Sequence, residues 1–266
     1  MSIRRNRYPQ MFLSQLVELG TIDEQLAVFL QAAVRARMNL IIAGATDAGK
    51  TTLLRACINC IQGDERLITV ERSLELGIRR QGLHADVVEW EEVLPDAEGH
   101  GGITIQQLVR RTRRHNPSRV VVGEVLGPEV VEMLSAMSQG NNGSLSTLHA
   151  RSAADVFAKL AQYAEQYERI ENRVAHALIA GAVDFVVFIG KNRRLGGSRT
   201  VTEVVELAGA PDGRVASARI FGPSPLDGRA VRVDDVAISD ARLEELADAG
   251  YDDTATSFHF PSGPTS

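Results

Sequence analysis

Lysine is almost missing from this chain: three occur in 266 residues, at 50, 159 and 191, against 26 arginines. A lysine at a conspicuous position therefore carries unusual information here. Cysteine is equally thin, with only Cys57 and Cys60, which excludes a disulfide scaffold, and no second pair completes a zinc set. Their C-x-x-C spacing falls within a helical pattern and reads as small apolar positions in a reducing compartment. No apolar run reaches the ~20 residues that span a bilayer, and Arg4, Arg5 and Arg7 lead into no hydrophobic signal-peptide core. A soluble, cytoplasmic protein is the expectation. A basic surplus is absent too: residues 211–266 hold 5 arginines against 10 acids, and the rest balances at 24 of each sign. That argues against a broad nucleic-acid footprint. Hydrophobic residues make up 44% and charged ones 24%, which excludes disordered and fibrous classes.

What is present centres on Lys50. Gly44-Ala45-Thr46-Asp47-Ala48-Gly49-Lys50-Thr51 has the form G-x-x-x-x-G-K-[ST], followed by Thr52. Glycines let backbone N–H groups close around the phosphates of a nucleotide, the lysine reaches the outer oxygens, and the Thr51 hydroxyl is placed to ligate Mg²⁺. Context agrees, since Leu40–Ala43 reads as a short buried strand and Leu53, Leu54, Ile58 and Ile61 recur at helical spacing.

Around this loop the chain alternates. Two helices are predicted before it, a short one through Phe12–Leu19 and a second opened by a capping box at Thr21-x-x-Glu24. After it, strands are predicted at Leu67–Val70, Val120–Val122, Leu145–Leu148 and Val183–Ile189. Helices are predicted at Ile105–Arg114, Pro128–Met137, near 153–166 and near 168–181. Such alternation implies a parallel sheet covered on both faces. From about 191 the pattern turns to β, with strands at Thr200–Leu207 and Val215–Phe221 set off by Gly196-Gly197 and Pro211-Asp212-Gly213. The expected division is therefore 1–37, a leading linker with two helices; 38–190, the nucleotide-binding core; 191–225, a small β appendage; and 226–266, an acidic tail. The tail carries one helix near Ser239–Ala247 and is mobile from Thr254 onward.

Hydrolysis of a bound nucleotide requires acids that hold metal and orient water, and in open α/β sheets these stand at the C-terminal ends of strands. Val120-Val121-Val122-Gly123-Glu124 ends in a carboxylate in the manner of a Walker B strand. Leu67-Ile68-Thr69-Val70-Glu71 ends likewise and offers Glu75 four residues on. His149 lies at the tip of another predicted strand. Arg110, Arg111, Arg113 and Arg114 form a basic run on the helix before Glu124, either a solvated face or a set in which one or two meet a nucleotide across a subunit boundary.

Read together, four segments resemble the type II/type IV secretion ATPase superfamily, most like the C-terminal RecA-like domain of Flp/Tad pilus-assembly ATPases of CpaF type. They are LGTIDEQLAVFLQAAVRARMNLIIAGATDAGKTTLL, then LITVERSLEL as an Asp box, GGITIQQLVRRTRRHNPSRVVVGEV, and MLSAMSQGNNGSLSTLHARS as a His box. The resemblance spans residues 10–210 and implies an α/β, RecA-like P-loop NTPase core with a small C-terminal β appendage. It implies ATP and Mg²⁺ as ligands, with Lys50 and Thr51 on phosphate and metal, Glu124 as the Walker B acid, Glu75 polarising the attacking water and His149 sensing the γ-phosphate. Arg110 and Arg114 match the family's arginine-bearing helix. It further implies a homo-oligomer, a hexamer, working at the inner face of the plasma membrane on an inner-membrane platform protein, with no stable nucleic-acid binding. Two departures stand out: Arg72 replaces the second acid of the Asp box, and Ser2-Ile3-Arg4-Arg5 resembles the linker that follows an N-terminal domain. These departures leave open a nucleotide-gated interaction module with little turnover. A RecA-like ATPase stimulated by nucleic acid is the other alternative.

Overall fold

A computed structural model describes residues 10–138, 140–255 and 257–260; Arg4, Arg5 and Arg7, and the tail after Phe260, lie outside them. Helix α1 (Leu13–Glu18) precedes α2 (Glu24–Arg35), which buries Leu26, Phe29, Leu30 and Val34 along one face. Asp23, not Thr21, caps α2, accepting from Leu26 N at 2.8 Å. The capping box expected at Thr21 is thereby corrected: the helix starts later, and a carboxylate satisfies its first free N–H groups better than a hydroxyl. Strand β1 (Leu40–Gly44) runs into the phosphate loop and α3 (Lys50–Ile58). Then come β2 (Leu67–Glu71), the short α4 (Ile78–Gln81), β3 (Val87–Glu91), α5 (Ile105–Thr112), β4 (Arg119–Val125) and α6 (Val130–Ser138). The remainder is β5 (Leu145–His149), α7 (Ala153–Glu168), α8 (Asn172–Ala182), β6 (Phe185–Asn192), β7 (Ser198–Leu207), β8 (Ser217–Pro223), β9 (Ala230–Arg232) and α9 (Asp240–Asp248).

Among the described residues nine strands form one sheet in the order β3-β2-β4-β5-β1-β6-β7-β8-β9. Pairing is parallel from β3 to β6 and antiparallel beyond. The β appendage is thus an extension of the core sheet, and β6 itself runs across residue 191. Alternate residues of the parallel strands feed two cores: Ile42 and Val121 face one that includes α1 to α3, while Ile41, Ala43, Val120 and Val122 face another with α5 to α8. Burial on both faces explains why β1 and β2 are apolar almost throughout.

The C-terminal segment closes the first core. Phe29 packs edge-on against Phe185 and Tyr251 at 5.2 and 5.4 Å between ring centroids, and tilted against Phe221 at 5.1 Å. Asp253 pairs with Arg232 at 2.6 Å and accepts from the Tyr251 hydroxyl at 2.8 Å. Phe258 stacks on Tyr251 at 6.0 Å and, with Phe260, lies partly buried against the core.

Two buried polar devices hold the N-terminal ends of the strands. Asn39 donates to Met137 O at 3.0 Å and Ala182 O at 2.8 Å, while its side-chain oxygen accepts from Gly143 N and Ser144 N, both at 3.0 Å. It thereby joins the ends of α6 and α8 to the start of β5. Arg119, fully buried at the start of β4, grips Glu65 through two bonds of 2.8 and 2.9 Å, and Arg37 adds a third contact. Burial raises the Glu65 carboxyl, but the hydrogen bonds and charges of Arg119 and Arg37 outweigh it and hold the group at about 2, below its usual 4.5.

Asn39→Ala removes four bonds and leaves buried backbone groups unpaired, an expected loss of about 3 kcal/mol in urea unfolding. A loss below about 1 kcal/mol would deny the residue its linking role. Because the Glu65 pKa is depressed on folding, its stabilisation is present above the unfolded value and disappears as pH falls from 4.5 toward about 2. The gap between wild type and Glu65→Gln is therefore expected to be full near neutrality and to close through that acid window; a gap constant with pH would contradict the assignment.

Candidate functional site

The parallel pairing sets the C-terminal ends of β2, β4, β5 and β1 side by side, and a cavity of about 390 Å³ opens over them. Gly44 at the end of β1 lies opposite His149 at the end of β5. Gly44 lies against the carbonyl of Ile189 in β6, so closely that a Cβ would collide with that backbone oxygen. Glycine is therefore required where the loop leaves the sheet. The loop turns through Asp47, and α3 begins with Gly49 as its cap, so that residues 46–52 line the cavity. A helix start of this kind attracts anions.

The Lys50 side chain is buried, and its Nζ donates to Ala45 O at 3.1 Å and to His149 Nδ1 at 3.1 Å, with Glu124 Oε1 3.9 Å away. An ammonium group has donors only, so Nδ1 accepts and the ring proton resides on Nε2. That nitrogen meets Glu124 Oε1 at 2.8 Å. Lysine, histidine and carboxylate thus form one chain of contacts across three neighbouring elements. Glu124 owes its aim to a register shift between Val122 and Val125 in the pairing of β4 with β5. The hydroxyls of Ser146 and Thr147 brace this irregularity, donating to Val122 O at 2.8 Å and Gly123 O at 2.7 Å.

Glu71 and Glu75 both line the cavity. Glu71 is buried; one oxygen accepts from Glu75 N at 3.0 Å and Leu76 N at 2.9 Å, while the other has no hydrogen-bond partner among the described residues. Desolvation outweighs the two backbone bonds, and the nearby Glu89 and Glu75 charges add to it, so its pKa is pushed up to about 7. Glu75 stands exposed at the cavity wall with Thr51, Thr52 and Glu124.

The structure brings Thr46, Asp47, Ala48, Gly49, Lys50, Thr51, Thr52, Glu75, Glu124 and His149 to this one cavity, with Gly44 and Ala45 supporting the loop. Arg110 and Arg114 are elsewhere. Both are exposed, Arg110 on α5 and Arg114 just past its end; Arg110 approaches Glu132 of α6 at 4.0 Å and Arg113 bonds it at 2.6 Å. Arg72 borders the cavity, but its guanidinium pairs with Glu92 at 3.0 Å. One cation escaped the sequence reading: Arg199, on β7, lines the cavity and donates to Asp47 O at 2.9 Å. Only the antiparallel pairing of β6 with β7 brings it there, and no local motif marks it.

The sequence profile of a family described as Type II/IV secretion system protein matches residues 1–187. A Mycobacterium tuberculosis protein carrying a conjugal-transfer name is 34% identical over 221 residues, covering 83% of this chain and 60% of that protein. VirB11 of Agrobacterium fabrum is 33% identical over 165 residues, 61% of this chain and 46% of its own length. Among solved structures, the VirB11 ATPase of the Brucella suis type IV secretion system, crystallised with sulphate, superposes with a TM-score of 0.61 at 28% identity. That match covers 76% of this chain and 56% of the other. The chain spans about 60% of the length of the first of these curated relatives.

Arg199→Ala is expected to release the loop backbone at Asp47 and weaken binding of a nucleoside triphosphate about tenfold in calorimetry, the usual scale for loss of a charge-assisted bond. Unchanged affinity would make Arg199 a bystander at the rim.

Proposed function

The chain belongs to the Type II/IV secretion system protein family, and from that premise we propose that it is an ATP-binding and ATP-hydrolysing motor subunit of a bacterial secretion or pilus-assembly machine. The observation that carries the reading is the convergence of Lys50, His149, Glu124 and Glu75 on one cavity at the strand ends. In this reading the N–H groups of residues 46–52 and the Lys50 ammonium bind the triphosphate, and Glu75 orients the attacking water. His149, bonded to both Lys50 and Glu124, answers to the terminal phosphate. The Thr51 hydroxyl and the Glu124 carboxylate are hard oxygen donors lining the same cavity, and these would hold Mg²⁺. When bound, the ion neutralises charge that develops on the phosphates.

A homo-oligomer, of hexameric form, acting on an inner-membrane platform protein at the cytoplasmic face of the plasma membrane completes the proposal. Among the described residues no helix is long and apolar enough to cross a membrane. The exposure of Arg110 and Arg114 away from their own cavity is in keeping with contact to nucleotide held by a neighbouring copy. The second reading, a nucleotide-gated interaction module with little turnover, draws on Arg72 at the cavity rim.

Lys50→Ala is expected to abolish ATP binding. Glu75→Gln is expected to leave binding intact while phosphate release falls about 100-fold or more. Turnover unaffected by both substitutions would dispose of the proposal, and tight binding by a wild-type chain that releases no phosphate would favour the interaction module.

A further inference from the structure

Glu75 sits on the irregular segment between β2 and α4, where no strand or helix supplies backbone partners. Two buried charged side chains supply them instead. Glu71, at the end of β2, accepts from the N–H groups of Glu75 and Leu76 through a single oxygen, at 3.0 and 2.9 Å. Arg55, on α3, donates Nη2 to Glu75 O at 2.8 Å and Nε to Leu76 O at 3.0 Å. Both N–H groups and both carbonyls of these consecutive residues are thus bound to two side chains, each less than 5% exposed. Glu75 N makes one further short contact, to Ser73 O at 2.7 Å.

Burying a guanidinium and a carboxylate is costly, and apolar residues would fill the same volume at less expense. Neither side chain is free to drift. A Cβ placed on Gly123, the residue before Glu124, would fall 2.9 Å from Glu71 Cγ, so Glu71 is wedged against β4. Arg55 belongs to the helix that begins at Lys50. Leu76 is buried beneath this pair while the Glu75 side chain is left at the cavity.

We propose that Arg55 and Glu71 are positioning residues that grip the Glu75-Leu76 peptide units from both sides, tying the placement of Glu75 to the phosphate-binding helix and to the end of β4. The assignment of a catalytic role to Glu75 rests on the ATPase reading above. The grip itself does not. Movement of α3 on phosphate binding is transmitted to Glu75 through Arg55, and Glu71 sets its distance from Glu124.

Amide hydrogen exchange and steady-state turnover of the full chain test this together. Arg55→Met and Glu71→Met are each expected to speed exchange at the Glu75 and Leu76 amides about tenfold or more, while Val121 and Val122 in β4 keep their protection. In both, kcat is expected to fall roughly 10- to 100-fold with the Kd for ADP little changed, as for a displaced catalytic group. Glu71→Gln keeps an acceptor oxygen where both N–H groups point and is expected to restore both readouts. Unaltered exchange at the two amides in the methionine variants, or faster exchange with kcat intact, overturns the proposal. Should those variants lose protection in β4 as well, the milder Arg55→Lys, which gives up the two fixed donors of the guanidinium, is expected to show the same two changes with β4 protected, and unaltered exchange or kcat in it overturns the proposal. Exchange is measured without turnover, so a wild-type chain that hydrolyses no ATP sinks the ATPase reading alone and leaves the grip decided by the amides.

Discussion

Asn39 is the constraint on which the arrangement depends. A parallel sheet has no hairpin turns to fix its register, so side chains must align the starts of strands that are distant in sequence. The four bonds of Asn39 reach the ends of α6 and α8 and the start of β5, and its own backbone N–H is held by Asp184 just before β6 at 2.8 Å. With β1, β5 and β6 aligned at that end, the opposite ends follow: Gly44 must fall beside His149, and Ala43 beside Phe188. A slip of one residue would turn every side chain of β1 to the other core.

From that alignment the chemistry follows in short steps. Lys50, Glu75, Glu124 and His149 each lie at the end of a parallel strand or within six residues of one. The register shift after Val122, in the pairing of β4 with β5, comes where Gly123 must pass Glu71 and Glu124 must turn toward Lys50. The contact chain from Lys50 through His149 to Glu124 then links the ammonium group, the imidazole and the acid. A change in charge at any member alters the hydrogen-bonding demands on the other two.

Much of this was legible in the chain itself, for reasons that can be located. Gly44–Thr51 encodes its own conformation locally, and β1, β2 and β4 are apolar because both faces are covered, so periodicity and composition coincide. Strand β3 was not foreseen: at a sheet edge, its Val-Val-Glu-Trp-Glu pattern is half exposed and gives no buried run. Helix α2 was expected where it is found, but its cap was placed at Thr21, two residues before the Asp23 that fills the role. Arg199 and Arg55 were invisible for another reason. Each acts through a bond to a backbone carbonyl across the fold, and such a bond leaves no signature in the neighbouring sequence. The β-rich region after 191 was recognised, whereas its continuity with the sheet depends on pairing partners that alternation alone cannot name.

The ring cluster around Phe29 has an implication for biosynthesis. Phe29 leaves the ribosome well before Tyr251, which packs against it. Until then the aromatic face of α2 lacks its final cover, and loop closure on that scale is entropically slow. The nascent polypeptide therefore completes its first core only after Tyr251 has been made, and prolonged exposure of α2 makes it the natural place for a chaperone to engage the growing chain.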